Sequence, residues 1–168
     1  DIEGTDSNNG VSIIVNSGSY LAVSAALCSS GLDGTGMIKT DTNGVVQWKH
    51  LFENEIGHLK PSKNIVSLVD TSYIITGGLG DLGFPWQLFF LQVSNQGDSL
   101  LLKEYGNMDQ EEIGTPMAVI NDTLIGLISY SDISSYAHLK LLKMCLDFSN
   151  LTEIPLLGVN GYAFSFGH

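Results

Sequence analysis

Between Asn64 and Tyr105 the chain alternates short apolar runs with turn residues. It reads NIVSLVDTSYIITGG, then a Gly-rich break, then WQLFFLQVSNQGDSLLLKEY. The pattern recurs on both sides. Slid against itself by 53 residues, the chain sets Tyr20-Leu21-Ala22-Val23 on Tyr73-Ile74-Ile75-Thr76, Asn43-Gly44 on Gln96-Gly97, Trp48 on Leu101 and Phe52 on Tyr105. A second shift of 53 puts Asn150 on Gly97 and Ile154 on Leu101. Thr123-Leu124-Ile125-Gly126 falls on Tyr73-Ile74-Ile75-Thr76 if the third unit has lost three residues. A period near 50 marks propellers and stacked arrays.

Each unit yields four predicted strands. They are Val11–Val15, Tyr20–Ala25, Thr35–Thr40 and Val45–Phe52 in the first unit, and Asn64–Leu68, Tyr73–Gly77, Trp86–Val93 and Ser99–Tyr105 in the second. The third unit gives Met117–Ile120, Thr123–Ser129, Ala137–Leu146 and Leu151–Leu156. Asn16-Ser17-Gly18-Ser19, Asp70-Thr71-Ser72 and Asn121-Asp122 supply turn chemistry between them. The second and third strands of each unit, such as Leu88-Phe89-Phe90-Leu91, are almost continuously apolar, which means burial on both faces. The expectation is an all-β, β-propeller-like array of about three four-stranded antiparallel blades. Their predicted spans are residues 1–54, 55–107 and 108–158, with 159–168 a tail or the start of a further unit. Three blades are too few to close a ring, since propellers use about 4–8. The array is therefore expected to belong to a larger propeller, completed by further blades of a parent chain or by other copies.

Composition narrows the partners. The 168 residues carry a net charge of −11, with seven basic residues, all of them Lys. Phosphate recognition leans on the forked guanidinium and on clustered positive charge, so nucleic acid is excluded as a partner. No apolar run reaches the roughly 18 residues of a membrane helix, so no membrane insertion is expected. Cys28 and Cys145 lie far apart and match no metal or redox spacing. The chain begins at Asp1, as a processed chain or a piece of a longer protein does.

Few residue groups suggest chemistry. Asp41-Thr42-Asn43-Gly44 has oxygen side chains at alternate positions, making Asp41 and Asn43 weak calcium candidates. Calcium takes about 6–8 oxygens, and the equivalent Ser94-Asn95-Gln96-Gly97 keeps the Gly but loses the Asp, which favours a tight hairpin turn. No other cofactor is expected. Gly31–Gly36 and Gly77–Gly83 are Gly-rich loops at the same point of the repeat, and a strand rather than a helix follows each, which excludes a phosphate loop. They define one loop face, with Asp33, Asp81, Phe84 and Trp86 as candidate binding residues and Phe84-Pro85-Trp86 as an aromatic platform for a sugar or peptide. The His residues show no metal-ligand spacing, and Asp109–Glu112 reads as a solvated linker. Asn121 and Asn150 fit the N-glycosylation pattern.

Two units also resemble a known group. Ser19–Val23 followed by Met37-Ile38-Lys39-Thr40-Asp41-Thr42-Asn43-Gly44-Val45-Val46-Gln47-Trp48, and then Thr71–Gly78, are similar to repeats that read roughly GGYIIAG…LIKTDSNGNVLWSKTFG. Those occur in secreted and surface proteins of Bacteroidetes. The third unit keeps only the outline. The resemblance implies β-propeller blades, export by the type IX system, a secreted or cell-surface location, and O-glycosylation at Ser99 and Thr123, which sit in Asp-Ser/Thr-apolar contexts. The repeat, the lack of an assembled catalytic constellation and the acidic, Arg-free composition point to a non-catalytic module that binds protein or glycan, or to a structural part of a larger assembly. The alternative is a fragment of a polysaccharide-cleaving propeller enzyme.

Overall fold

A computed structural model describes residues 2, 4–16, 18–53, 58–70, 72–80, 86–106, 111–131 and 137–156. Asp81 and Phe84, the linker residues Asp109 and Gln110, and the tail 159–168 lie outside them. The described residues form three four-stranded antiparallel sheets and no helix. The first sheet comprises β1 (Thr5–Asn16), β2 (Ser19–Cys28), β3 (Asp33–Asp41) and β4 (Val46–Phe52). The second holds β5 (His58–Ser67), β6 (Tyr73–Gly80), β7 (Gln87–Val93) and β8 (Ser99–Tyr105). The third holds β9 (Glu111–Ile120), β10 (Thr123–Ser131), β11 (Ala137–Cys145) and β12 (Thr152–Pro155). In each sheet the strand order follows the chain, so every sheet is a simple meander.

The first strand of each unit is longer than its hydrophobic pattern predicts. Pro61 and Pro116 sit inside β5 and β9, and both strands are sheet edges. A missing N–H is tolerated at an edge, which lets the strands run back to His58 and Glu111. Glu111 and Glu112, expected in a linker, pair with Ser131 and Tyr130 at the start of β9. Gly34 and Gly36 belong to β3, and Gly77, Gly78 and Gly80 to β6, so much of the two expected Gly-rich loops is strand.

The turns fix the true repeat. Asp41 N–H bonds the Val45 carbonyl, Ser94 N–H the Asp98 carbonyl, and Cys145 N–H the Ser149 carbonyl. These turn-opening residues are 53 and then 51 positions apart, so the third unit has lost two residues, not three. Register agrees: Ser19 pairs with Asp41, and Thr123 with Cys145. Leu124, not Thr123, therefore matches Tyr73, and Thr152 matches Leu101. A one-residue slip in a strand exchanges its faces, so this correction decides which side of the third sheet is buried. Gly44 (φ 83°), Gly97 (φ 95°) and Phe148 (φ 60°) fill the same left-handed turn position. Phe148 keeps that conformation although the left-handed region costs a non-glycine residue roughly 1–2 kcal/mol. Its ring packs on Phe90 at 5.3 Å between centroids.

The second sheet is covered on both faces, which explains its continuous apolar runs. Tyr73, Ile75, Phe89, Leu91 and Val93 point one way, into a core with Leu21, Val23 and Met37 of the first sheet. Ile74, Leu88 and Phe90 point the other way, into a core with Leu124, Ile128, Leu142 and Met144 of the third. Gly77 is dictated by closeness: a Cβ there would collide with the Lys60 carbonyl oxygen and the Phe89 ring.

Polar contacts lock the sheets together. Thr35 Oγ1 donates to the Leu59 carbonyl (3.0 Å), and Asn64 Nδ2 to the Met117 carbonyl (3.1 Å). Lys39, only 5% exposed, reaches Asn95 in the β7–β8 turn through Oδ1 and the carbonyl (3.3 Å). Trp48 Nε1 donates to the same carbonyl at 2.9 Å, and the Lys39 ammonium lies 5.8 Å from the Tyr73 ring centroid. Carbonyl dipoles and an aromatic face here replace the water a buried ammonium loses.

Candidate functional site

Leu27 pairs with Asp33 at one end of the first sheet, and His58 pairs with Gly80 at one end of the second. Asp33 opens β3 there, and Trp86 immediately precedes β7. The two are equivalent positions of successive units. The sequence singled out both, but not the residues that join them, His58 and Lys60 at the start of β5. Their signal was the polar–apolar–polar run His58-Leu59-Lys60, obscured by Pro61 just after it.

Asp33 Oδ2 lies 3.0 Å from Lys60 Nζ and 2.8 Å from His58 Nδ1. His58 Nδ1 is also 3.0 Å from the Asp33 backbone nitrogen. The two His58 contacts exclude one another, because Nδ1 donates to the carboxylate when protonated and accepts from the amide when not. Either tautomer keeps the imidazole against β3. The Lys60 ammonium lies 5.0 Å from the Trp86 ring centroid, and the His58 and Trp86 centroids are 6.2 Å apart.

Trp86 is half-buried because β6 has no side chains beneath it. A Cβ on Gly78 would stand 2.9 Å from Trp86 Cε3, and one on Gly80 3.1 Å from Cδ2. The indole therefore lies on a floor of glycine backbone. Around it sit a carboxylate, an ammonium and an imidazole. That set can stack on an apolar face, and it can donate and accept hydrogen bonds within one small area.

A second polar group lies between the second and third sheets. Lys140 Nζ is 5.0 Å from the Tyr105 ring centroid, 4.9 Å from that of Tyr130 and 3.3 Å from Glu153 Oε2, while the Tyr105 hydroxyl donates to Glu153 Oε1. Lys140 is buried, and its neighbours already satisfy it.

The remaining candidates are dispersed. Asp41 Oδ1 accepts from the backbone nitrogens of Asn43 and Val45, both at 2.8 Å, so its carboxylate closes the hairpin turn. Among the described residues, no group of three or more His, Cys, Asp or Glu side chains is placed to hold a metal ion. Asn121 (φ 49°) and Asn150 (φ 53°) are exposed in turns. Ser99 is exposed at the start of β8, and Thr123 is half-buried at the start of β10. Cys28 is buried, and burial, followed by the hydrogen bond its thiol donates to the Glu53 carboxylate, pushes that thiol up to about 12. A thiol that stays protonated at neutral pH is a poor nucleophile. No described helix is long and apolar enough to cross a membrane. Compared with known proteins, the chain matches no protein-family model and no curated protein sequence.

Proposed function

We propose that the three sheets are consecutive blades of a β-propeller and that the protein is a non-catalytic, glycan-binding module of a secreted or cell-surface protein. The propeller reading is supported by the order of packing. β5 lies against β1, β2 and β3, and β9 lies against β5, β6 and β7, so each sheet offers its first strand to the one before it. The repeat resemblance points the same way and motivates the secreted setting.

The binding reading rests on one observation: the half-exposed Trp86 ring lies on Gly78 and Gly80 beside the Asp33–Lys60 pair. An aromatic surface takes the apolar face of a pyranose, and a flanking carboxylate and ammonium bond its hydroxyls, which is the usual division of labour in a small-ligand site. Screening the purified chain on a glycan array, with Trp86 fluorescence as the second readout, tests this. The expected result is a saccharide whose binding weakens at least about tenfold in both Trp86→Ala and Lys60→Ala, a loss of about 1.4 kcal/mol or more. Binding of a protein with no saccharide competition, or release of reducing ends from a polysaccharide, contradicts it.

A further inference from the structure

The two outermost sheet faces are not equivalent surfaces. Within the chain, one face type always meets the other. The face bearing Leu21, Val23, Met37 and Lys39 packs on the face bearing Tyr73, Ile75, Leu91 and Val93. One unit later, the face bearing Ile74, Phe90 and Gln92 packs on that bearing Leu124, Leu142 and Met144. Among the described residues, the third sheet's face of the first type, with Ile125, Leu127, Leu141 and Lys143, is therefore covered by no other sheet. The first sheet's face of the second type, with Tyr20, Ala22, Ile38 and Thr40, is covered by no other described sheet, and Ile2, 5% exposed, lies over it only beside Gly36. Ile13 and Val15, on the Tyr20 side of β1, are 65% and 75% exposed. Each open face is the mate of the other.

The polar residues agree more closely than apolar character requires. At the first interface, Lys39 meets the Tyr73 ring and Asn95 of the turn. The equivalent positions at the second interface are Gln92, Leu124 and Leu146, with neither cation nor ring. The equivalents on the open faces are Lys143 on the third sheet, and Tyr20 and Thr42 on the first. Register places them identically. Lys39 pairs with Leu21 and Trp48, and Lys143 pairs with Ile125 and Thr152. Tyr20 pairs with Thr40 as Tyr73 pairs with Val93. Lys143 and Thr42 are exposed and Tyr20 is half-buried. Gly97 packs under Trp48 and His50 of the preceding sheet, whereas a Cβ on Gly44 would meet nothing within 4 Å. Both halves of a lysine–tyrosine–turn contact are thus present, on opposite ends of the molecule.

We infer that the open face of the third sheet docks onto the open face of the first sheet of a second copy. Lys143 then reaches the Tyr20 ring and the Thr42 carbonyl and hydroxyl, as Lys39 reaches Tyr73 and Asn95. A contact between two different faces is heterologous, and it either closes a ring or propagates. Six is the one multiple of three within the roughly 4–8 blades that propellers use, so two copies are expected to close a ring of six sheets. Ring closure rests on the propeller reading, whereas the docking itself does not.

Light scattering on the purified chain tests the docking. The expected mass is twice the 18.1 kDa of one chain. Lys143→Glu should raise the dissociation constant at least about tenfold, and Thr42→Lys added to it should restore association by reversing the pairing. Circular dichroism and thermal melting check that the variants keep their fold. A monomeric wild-type chain overturns the inference, as does association that ignores Lys143→Glu. Filaments that Lys143→Glu dissolves uphold the docking while contradicting the propeller.

Discussion

Phe89 and Phe90 are neighbours in β7, and they are expected to be equally costly to lose. Their side chains leave opposite faces of the second sheet and are 0% and 1% exposed, one in each core. Truncating a buried Phe to Ala removes its transfer free energy and leaves a cavity, at about 3–5 kcal/mol. With a urea slope of about 2 kcal/mol/M, each substitution lowers the midpoint by roughly 1.5–2.5 M. A sheet with one wet face would lose that much at one position and only about 0.5 kcal/mol at the other. The assay is urea unfolding of Phe89→Ala and Phe90→Ala, followed by circular dichroism and Trp fluorescence. A cost below about 1 kcal/mol at either position refutes the two-faced burial of this sheet. Phe89→Ala with Phe90→Ala should cost about 6–10 kcal/mol together, much or all of the roughly 5–15 kcal/mol that stabilises an ordinary domain.

Other expectations follow from single contacts. Gly77→Ala should cost more than about 2 kcal/mol in the same unfolding assay, because its Cβ meets the β5 backbone rather than a movable side chain. Trp48→Phe removes the indole donor to Asn95 but keeps most of the ring, and should cost about 0.5–1.5 kcal/mol, because Lys39 still donates to that carbonyl. Asp70 and Asp147 are held below the usual aspartate value of 3.8 by hydrogen bonds from the hydroxyls and backbone nitrogens of Ser72 and Ser149. Their contribution is complete above that value and drains as pH falls through the lower folded one, so Asp70→Asn should flatten the acid side of a stability–pH curve. In the native protein iodoacetamide should modify Cys145 well before Cys28, and mass spectrometry of digests will report the order. Because the Cys28 thiol rises from 9.0 to about 12 on folding, stability should fall as pH climbs between those values, and less so in Cys28→Ala.

Much of the architecture was legible because its physical cause is local. Leu88-Phe89-Phe90-Leu91 has no polar residue to spare for a wet face, so it announces a strand buried twice. Gly44 and Gly97 mark one turn position through their positive φ. The sequence match of the third unit slips, by one residue at Thr123 and by two at Asn150 and Ile154, because that marker is missing: Phe148 adopts the left-handed conformation, and contact with Phe90 holds it there. Long-range packing decided this, and no local pattern records it. Pro61 and Pro116 concealed the starts of β5 and β9, since a proline is compatible with a strand only once that strand is known to be an edge.

The candidate site was half legible for a similar reason. Asp33 and Trp86 stood out as unusual residues beside glycines. His58 and Lys60 lie 25 and 27 positions beyond Asp33, and only the stacking of one sheet on the next brings them to it. The glycine run before Trp86 has the composition of a loop, whereas Gly78 and Gly80 are strand residues whose missing side chains leave room for the indole. Lys39 gave no signal at all. Its importance appears only when Asn95 and Tyr73 of the following sheet are in place.

Averaged electron-microscope images of the purified protein will show whether the proposed blades lie around one axis. The expected result is sheets fanned about a common centre, with β1, β5 and β9 nearest to it and the Trp86 site on one end. Sheets stacked as flat, parallel layers with no shared axis would contradict it.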